Sequence, residues 1–253
     1  MRPPFRPILW ETLFLECATV PGDIASLLSA GNGVLPHVRY IVIYTTTGDV
    51  VDFDPISDFG TAVSLIIGAL PRNCLLGVTI QPTISMSTIL SILQCQQSLQ
   101  MLRTRKIKSS ESSSLNLSLA SHGSWVAPTL TNIRTLRIPI PVDDDNAYKT
   151  SAFLLKNTPR LWSLCLIGES PVPPLLDPFG GPYAVGAAIP TLQLEMLQLL
   201  WLNLQAYPAQ LFSYINFSNL RVLCISQCRS IGAFLSALVT VVPRATALRG
   251  LEI

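Results

Sequence analysis

A catalytic or metal site needs nucleophiles, bases or ligands at workable spacing, and this sequence offers few. There are two histidines, His37 and His122. His122 sits in a Ser-His-Gly-Ser stretch, but a Ser–His–acid arrangement needs its nucleophile on a sharp turn, and no G-x-S-x-G occurs. Asp143, Asp144 and Asp145, followed by Asn146, form an acidic cluster. Three adjacent carboxylates point in different directions, and the alternating spacing and glycine of a calcium loop are missing, so the cluster reads as a solvated loop. Gly180, Gly181 and Gly186 lack the preceding strand, the following helix and the lysine of a phosphate loop. Cys17, Cys74, Cys95, Cys165, Cys224 and Cys228 include no C-x-x-C pair, which reads as packed, reduced thiols of an intracellular protein. Cys224 and Cys228 lack further zinc ligands; Cys228 suits the buried slot that ends a repeat, its S–H meeting a loop carbonyl. Arg103, Arg105, Lys106 and Lys108 run into Ser109–Ser114 without aromatic residues between them. That stretch reads as an exposed loop and not as a nucleic-acid surface. The expectation is a chain with no catalytic residues, no metal and no cofactor, and so not an enzyme.

Whatever elements position a site here must come from an apolar chain. Of 253 residues, 49% are apolar and 13% charged, against about 25% charged in ordinary domains. Disorder along the whole length is excluded, because it needs low hydrophobicity and high charge. The longest apolar stretches, Thr61–Leu70 and Ile231–Val242, fall well short of the roughly 20 residues of a spanning helix. Glu11 and Glu16 interrupt the apolar start, so no signal peptide is expected. A net charge of +2 supplies no field that would steer the chain to nucleic acid. Neither a membrane nor a nucleic acid is expected as a partner, and the expected setting is intracellular, cytoplasmic or nuclear.

The apolar residues recur. Leu220-Arg-Val-Leu223-Cys-Ile225-Ser-Gln-Cys228 reads L-x-x-L-x-I-x-x-C. Its first six positions return from Val38, Leu75, Ile133, Leu161, Leu194 and Leu248, with a weaker copy from Leu99, at steps of 24 to 37 residues. Regular leucine-rich repeats run about 20–29 residues. In each hexad the fourth and sixth residues are two apart and share one face of a strand. Helical returns are expected over Ser87–Leu99, up to Asn157 before Pro159, and over Ile231–Val242 before Pro243. The expected fold class is α/β, an irregular leucine-rich-repeat solenoid with a parallel sheet on the concave face and helices on the convex face. Residues 1–34 read as a helical entry segment and 35–253 as the array, with Pro171–Pro190 an insertion. The array reads as truncated at its C-terminus, because Ile253 is a core position with no cap after it.

On these hexads, on Lys156-Asn-Thr-Pro-Arg-Leu161 before a strand, and on Leu35-Pro-His-Val-Arg-Tyr-Ile41 opening the array, the chain resembles the fungal F-box/leucine-rich-repeat-like proteins. Arg6-Pro-Ile-Leu-Trp-Glu-Thr-Leu-Phe14 is similar to the segment that follows an F-box in that family. The resemblance implies a substrate receptor of a cullin–RING ubiquitin ligase, in which the F-box docks on the adaptor and the repeats hold the target. No F-box is visible before the first repeat. The adaptor is therefore implied as a partner only where an F-box-like segment exists; a stand-alone scaffold binding another protein is the alternative.

The hexad register also names the residues that point away from the core. They are Tyr40, Val42 and Tyr44; Gly77, Thr79 and Gln81; Thr135, Arg137 and Pro139; Ser163, Cys165 and Ile167; Met196, Gln198 and Leu200; Val222, Cys224 and Ser226; then Gly250 and Glu252. This mostly neutral face, with aromatic and apolar patches, is the expected contact for a protein target.

Overall fold

The computed structural model describes residues 11–17, 25–29, 33–45, 58–108, 129–140, 145–168, 191–206, 214–241 and 248–253. Nine strands follow one another in chain order: β1 (Thr12–Glu16), β2 (Tyr40–Tyr44), β3 (Gly77–Ser85), β4 (Met101–Lys108), β5 (Thr135–Ile140), β6 (Ser163–Gly168), β7 (Met196–Leu200), β8 (Val222–Ser226) and β9 (Gly250–Glu252). They form one parallel sheet in which each strand lies beside its predecessor in sequence. A doubly wound sheet reverses its order and is covered on both faces. Here the order never reverses, so the fold is a solenoid-like α/β sheet with one face turned to the core.

The register shows why. Tyr40, Gly77, Met101, Thr135, Ser163, Met196, Val222 and Gly250 are paired in turn across eight strands, and each is the third residue of its hexad. The first, fourth and sixth positions then fall on the opposite face. Val38, Leu75, Leu99, Ile133 and Leu194 are fully buried, as are Leu102, Leu136, Leu164, Leu197 and Leu223. A buried aliphatic side chain contributes about 1.5–3 kcal/mol, so this column is the main apolar support of the sheet. At every junction the carbonyl of the second position accepts two N–H groups of the next strand's start. Glu11 accepts from Arg39 and Tyr40, Gln100 from Arg134 and Thr135, and Arg221 from Arg249 and Gly250, at 2.8–3.0 Å. The same pair of bonds recurs at all eight junctions.

Among the described residues the chain returns through α1 (Asp58–Ala69), α2 (Met86–Cys95), α3 (Asp145–Lys156) and α4 (Ile231–Val241). α2 packs on β3 and on α1, and α3 packs on β5. The Ser85 hydroxyl caps α2 by accepting from the Thr88 N–H at 3.3 Å. α3 ends as its sequence suggests: the Asn157 amide donates to the Phe153 carbonyl at 2.8 Å, and Pro159 stops the helix. Five strands, β2, β4, β5, β6 and β8, are entered through a single turn, in which Val38, Leu99, Ile133, Leu161 and Leu220 donate to carbonyls three residues back. Those donors' partners, Leu35, Gln96, Leu130, Thr158 and Phe217, are buried.

Three expectations change. The entry segment is not all helical: residues 25–28 form a helical turn, but Thr12–Glu16 is strand β1, paired residue by residue with β2. Trp10-Glu-Thr-Leu13-Phe-Leu15 is thus a further hexad, with tryptophan in the first slot. The basic stretch from Arg103 to Lys108 is strand β4 rather than a loop. Leu102 and Thr104 turn inward, while Arg103 and Arg105 turn outward and are exposed. Asp145 opens α3 rather than lying in a loop. His122, Asp143, Asp144, Ser109–Ser114, Pro171–Pro190 and the glycines within it lie outside the described residues.

Candidate protein-binding face

The residues expected on the outer face do share it. One row across the strands reads Phe14, Val42, Thr79, Arg103, Arg137, Cys165, Gln198, Cys224 and Glu252. Beside it runs the row of Tyr40, Thr135, Ser163, Met196 and Val222, and beyond it Tyr44, Leu200 and Ser226 with Gln81 on β3. Most of these side chains are half-buried, as expected for neighbours standing on a pleated sheet.

Four of the residues read as surface are covered instead. Cys165 and Ile167 are 6% and 4% exposed, and Gly77 and Pro139 are buried too. Cys165 stands between the longer side chains of Arg137 and Gln198 on the flanking strands. Gly77 leaves room for its neighbours, since a Cβ there would lie 2.6 Å from Met101 Cε and 2.7 Å from the Tyr40 ring. Burial pushes the Cys165 thiol above its usual value, and the guanidinium groups of Arg137 and Arg103 oppose that shift.

The hexad reading missed five residues that matter on this face. Phe14, on β1, is 64% exposed, and Met101, Arg103 and Arg105 come from the weak Leu99 copy. Trp201 follows β7 in a left-handed backbone conformation (φ 56°), and its indole N–H donates to Gln227 Oε1 at 2.6 Å. Gln227 holds the corresponding place after β8, with φ 53°. Nothing in a hexad signals such a turn; the signal is the shared spacing of the two residues from their strands.

Near its middle the sheet splits. β3 and β4 stay paired as far as Ser85 and Lys108, with a one-residue shift between Ile80 and Thr83. Pro82, which lacks an N–H, falls at that irregularity. β4 and β5 pair only from Met101 to Arg103. Beyond that point the Thr104 hydroxyl donates to the Arg137 carbonyl at 3.3 Å, and Pro139 has no N–H to offer β4. The parting leaves a depression of about 330 Å³ lined by Thr79, Ile80, Gln81, Arg103, Thr104, Arg105, Arg137, Ile167 and Trp201.

At the far side of the face, the Cys224 thiol donates to Glu252 Oε2 at 2.8 Å. That bond, with burial and the carboxylate's charge adding to it, pushes the thiol up to about 11. Cys228 donates to the Leu199 carbonyl at 3.3 Å and is half-buried. All six cysteines are free. Among the described residues no three His, Cys, Asp or Glu side chains gather in a way that could hold a metal ion, and no helix is long and apolar enough to cross a membrane. Compared with known proteins, the chain matches no protein-family model and no curated protein.

Proposed function

We propose that the chain is a leucine-rich-repeat solenoid acting as a non-catalytic protein-recognition module, similar to the substrate-binding part of an F-box receptor of a cullin–RING ligase. The observation that carries this is the outer face itself. Nine strands in unbroken order hold one continuous sheet surface, half-open and studded with Phe14, Tyr40, Tyr44, Met101, Met196 and Trp201. Aromatic and methionine side chains held on a rigid support are the residues that anchor protein contacts, at low entropic cost. Substrate chemistry has little to work with here, since the thiols whose protonation is perturbed are all shifted upward, away from the nucleophilic form. The reading places the protein inside the cell, where its free thiols would stay reduced.

The test is photo-crosslinking in cells from positions 44 and 198 on the outer face, with position 219 on a strand-entry turn as the comparison. The expected result is one protein captured from both face positions and not from position 219. Capture that is equal from all three positions, or absent from the face, ends the proposal. Calorimetric titration with the purified cullin–RING adaptor then separates the two forms of the idea. Micromolar or tighter binding favours the receptor, and no binding favours a stand-alone scaffold.

A further inference from the structure

The arginines of the split sheet form an arrangement that the fold alone does not explain. Arg103 and Arg137 are direct cross-strand partners, and Arg105 follows Arg103 on the same face of β4. Like charges placed opposite one another on a sheet destabilise it. Both guanidinium groups also lie near enough to Cys165 to oppose the rise that burial gives its thiol. Arg221, by contrast, meets Glu195 at 3.4 Å. Among the described residues, neither Arg103, Arg105 nor Arg137 has a salt bridge or hydrogen bond from its side chain, and Arg137 Nε is buried with no acceptor. A buried donor left unmet destabilises the fold. The depression is lined by these three arginines and, from β6 and the turn after β7, by the apolar Ile167 and Trp201.

We propose that this depression binds an acidic segment of a protein partner, its carboxylates received by Arg103, Arg105 and Arg137 and an adjoining apolar side chain by Ile167 and Trp201. The inference rests on the recognition reading above and names the chemistry of the partner. Three features select this ligand. A planar fork pairs best with a two-oxygen anion such as a carboxylate. Charge complementarity relieves the cross-strand repulsion. Ile167 and Trp201 give a peptide side chain something that a bare ion would not use. Nucleic acid is disfavoured, because among the described residues lining the depression Trp201 brings the one ring, its N–H bonded to Gln227, and a lone ring cannot sandwich a base.

The test is fluorescence anisotropy of the whole chain with a labelled oligo-glutamate peptide carrying one leucine, its oligo-glutamine counterpart, and labelled oligouridylate. The acidic peptide is expected to bind, the neutral one not, with affinity falling as salt rises. Arg103→Gln with Arg137→Gln should weaken binding by about tenfold or more. Arg249→Gln, at the start of β9, should leave it unchanged. If the double variant fails to fold, Arg103→Lys keeps the charge, loses the fork, and should still weaken binding severalfold. Absence of binding by the wild type, equal weakening by Arg249→Gln, or tighter binding of oligouridylate through the same arginines overturns the proposal. Crosslinking from positions 44 and 198 separates this failure from that of the recognition reading. Capture that persists undiminished in the double variant discards the acidic segment alone, whereas capture absent from the wild type discards both.

Discussion

Glu252 sets the chemistry of Cys224 from the neighbouring strand, and it does so through one hydrogen bond. Replacing it by glutamine removes the charge and should bring the thiol down from about 11 toward the usual thiol range. The pH profile of iodoacetamide alkylation at Cys224, followed by mass spectrometry, reads this directly, and an unchanged profile would contradict the assignment. Glycines give a second contrast at this scale. A Cβ on Gly168 would fall on the Trp201 carbonyl oxygen, a backbone atom that cannot swing aside. Gly68, in α1, has nothing within 4 Å of its missing Cβ. Gly168→Ala should therefore destabilise the fold by about 1–3 kcal/mol, while Gly68→Ala should stabilise it by about 0.5–1 kcal/mol. Equal effects in thermal melts would mean the turn after β7 is placed wrongly. The register makes a third contrast: Leu223→Asp buries an unpaired charge and should cost several kcal/mol, on the order of other such changes. Thr135→Asp, on the half-open face, should cost little.

The strands were legible in the sequence because two aliphatic residues at fixed spacing suffice to orient a strand against a core. Where a slot held something else, the reading failed. Trp10 in the first slot hid β1, and Thr104 in the sixth slot, amid arginines and lysines, hid β4. Thr104 is tolerated there because its hydroxyl reaches the Arg137 carbonyl in the split. The burial of Cys165 and Ile167 was not legible either, since it depends on the reach of side chains from other repeats. The turn before β2, β4, β5, β6 and β8 does leave a trace, a buried residue three places ahead of the first apolar residue of the hexad. Besides Thr158, Gln96 is a polar instance. Its Oε1 accepts from the Cys74 and Leu75 N–H groups at 3.0 and 3.1 Å, and its Nε2 donates to the Pro71 carbonyl at 3.2 Å. Gln96→Leu leaves the two buried N–H groups unmet and should cost about 2–6 kcal/mol, from one to three for each. Urea unfolding measures it, and a loss under about 1 kcal/mol would show that other groups take over the bonds.

For the molecule as a whole, the thiols make stability depend on pH. Burial raises Cys17, Cys74, Cys165 and Cys228 in the folded chain. As pH climbs through the ordinary thiol value, the unfolded chain gives up these protons first, so unfolding gains ground. The melting temperature should fall between about pH 8 and pH 10, and fall less when Cys74 and Cys165 are both alanine. An identical decline in that variant would assign the effect to other groups. The unshifted register from β5 to β9 has a metrical consequence. Strands repeat every 4.8 Å or so, while an extended peptide advances about 3.3 Å per residue. A partner lying straight across the rows therefore comes back into step only about every third residue, after two strands. The surface works like a vernier, on which a bound chain is held at intervals and one residue of slippage loses every point of coincidence together.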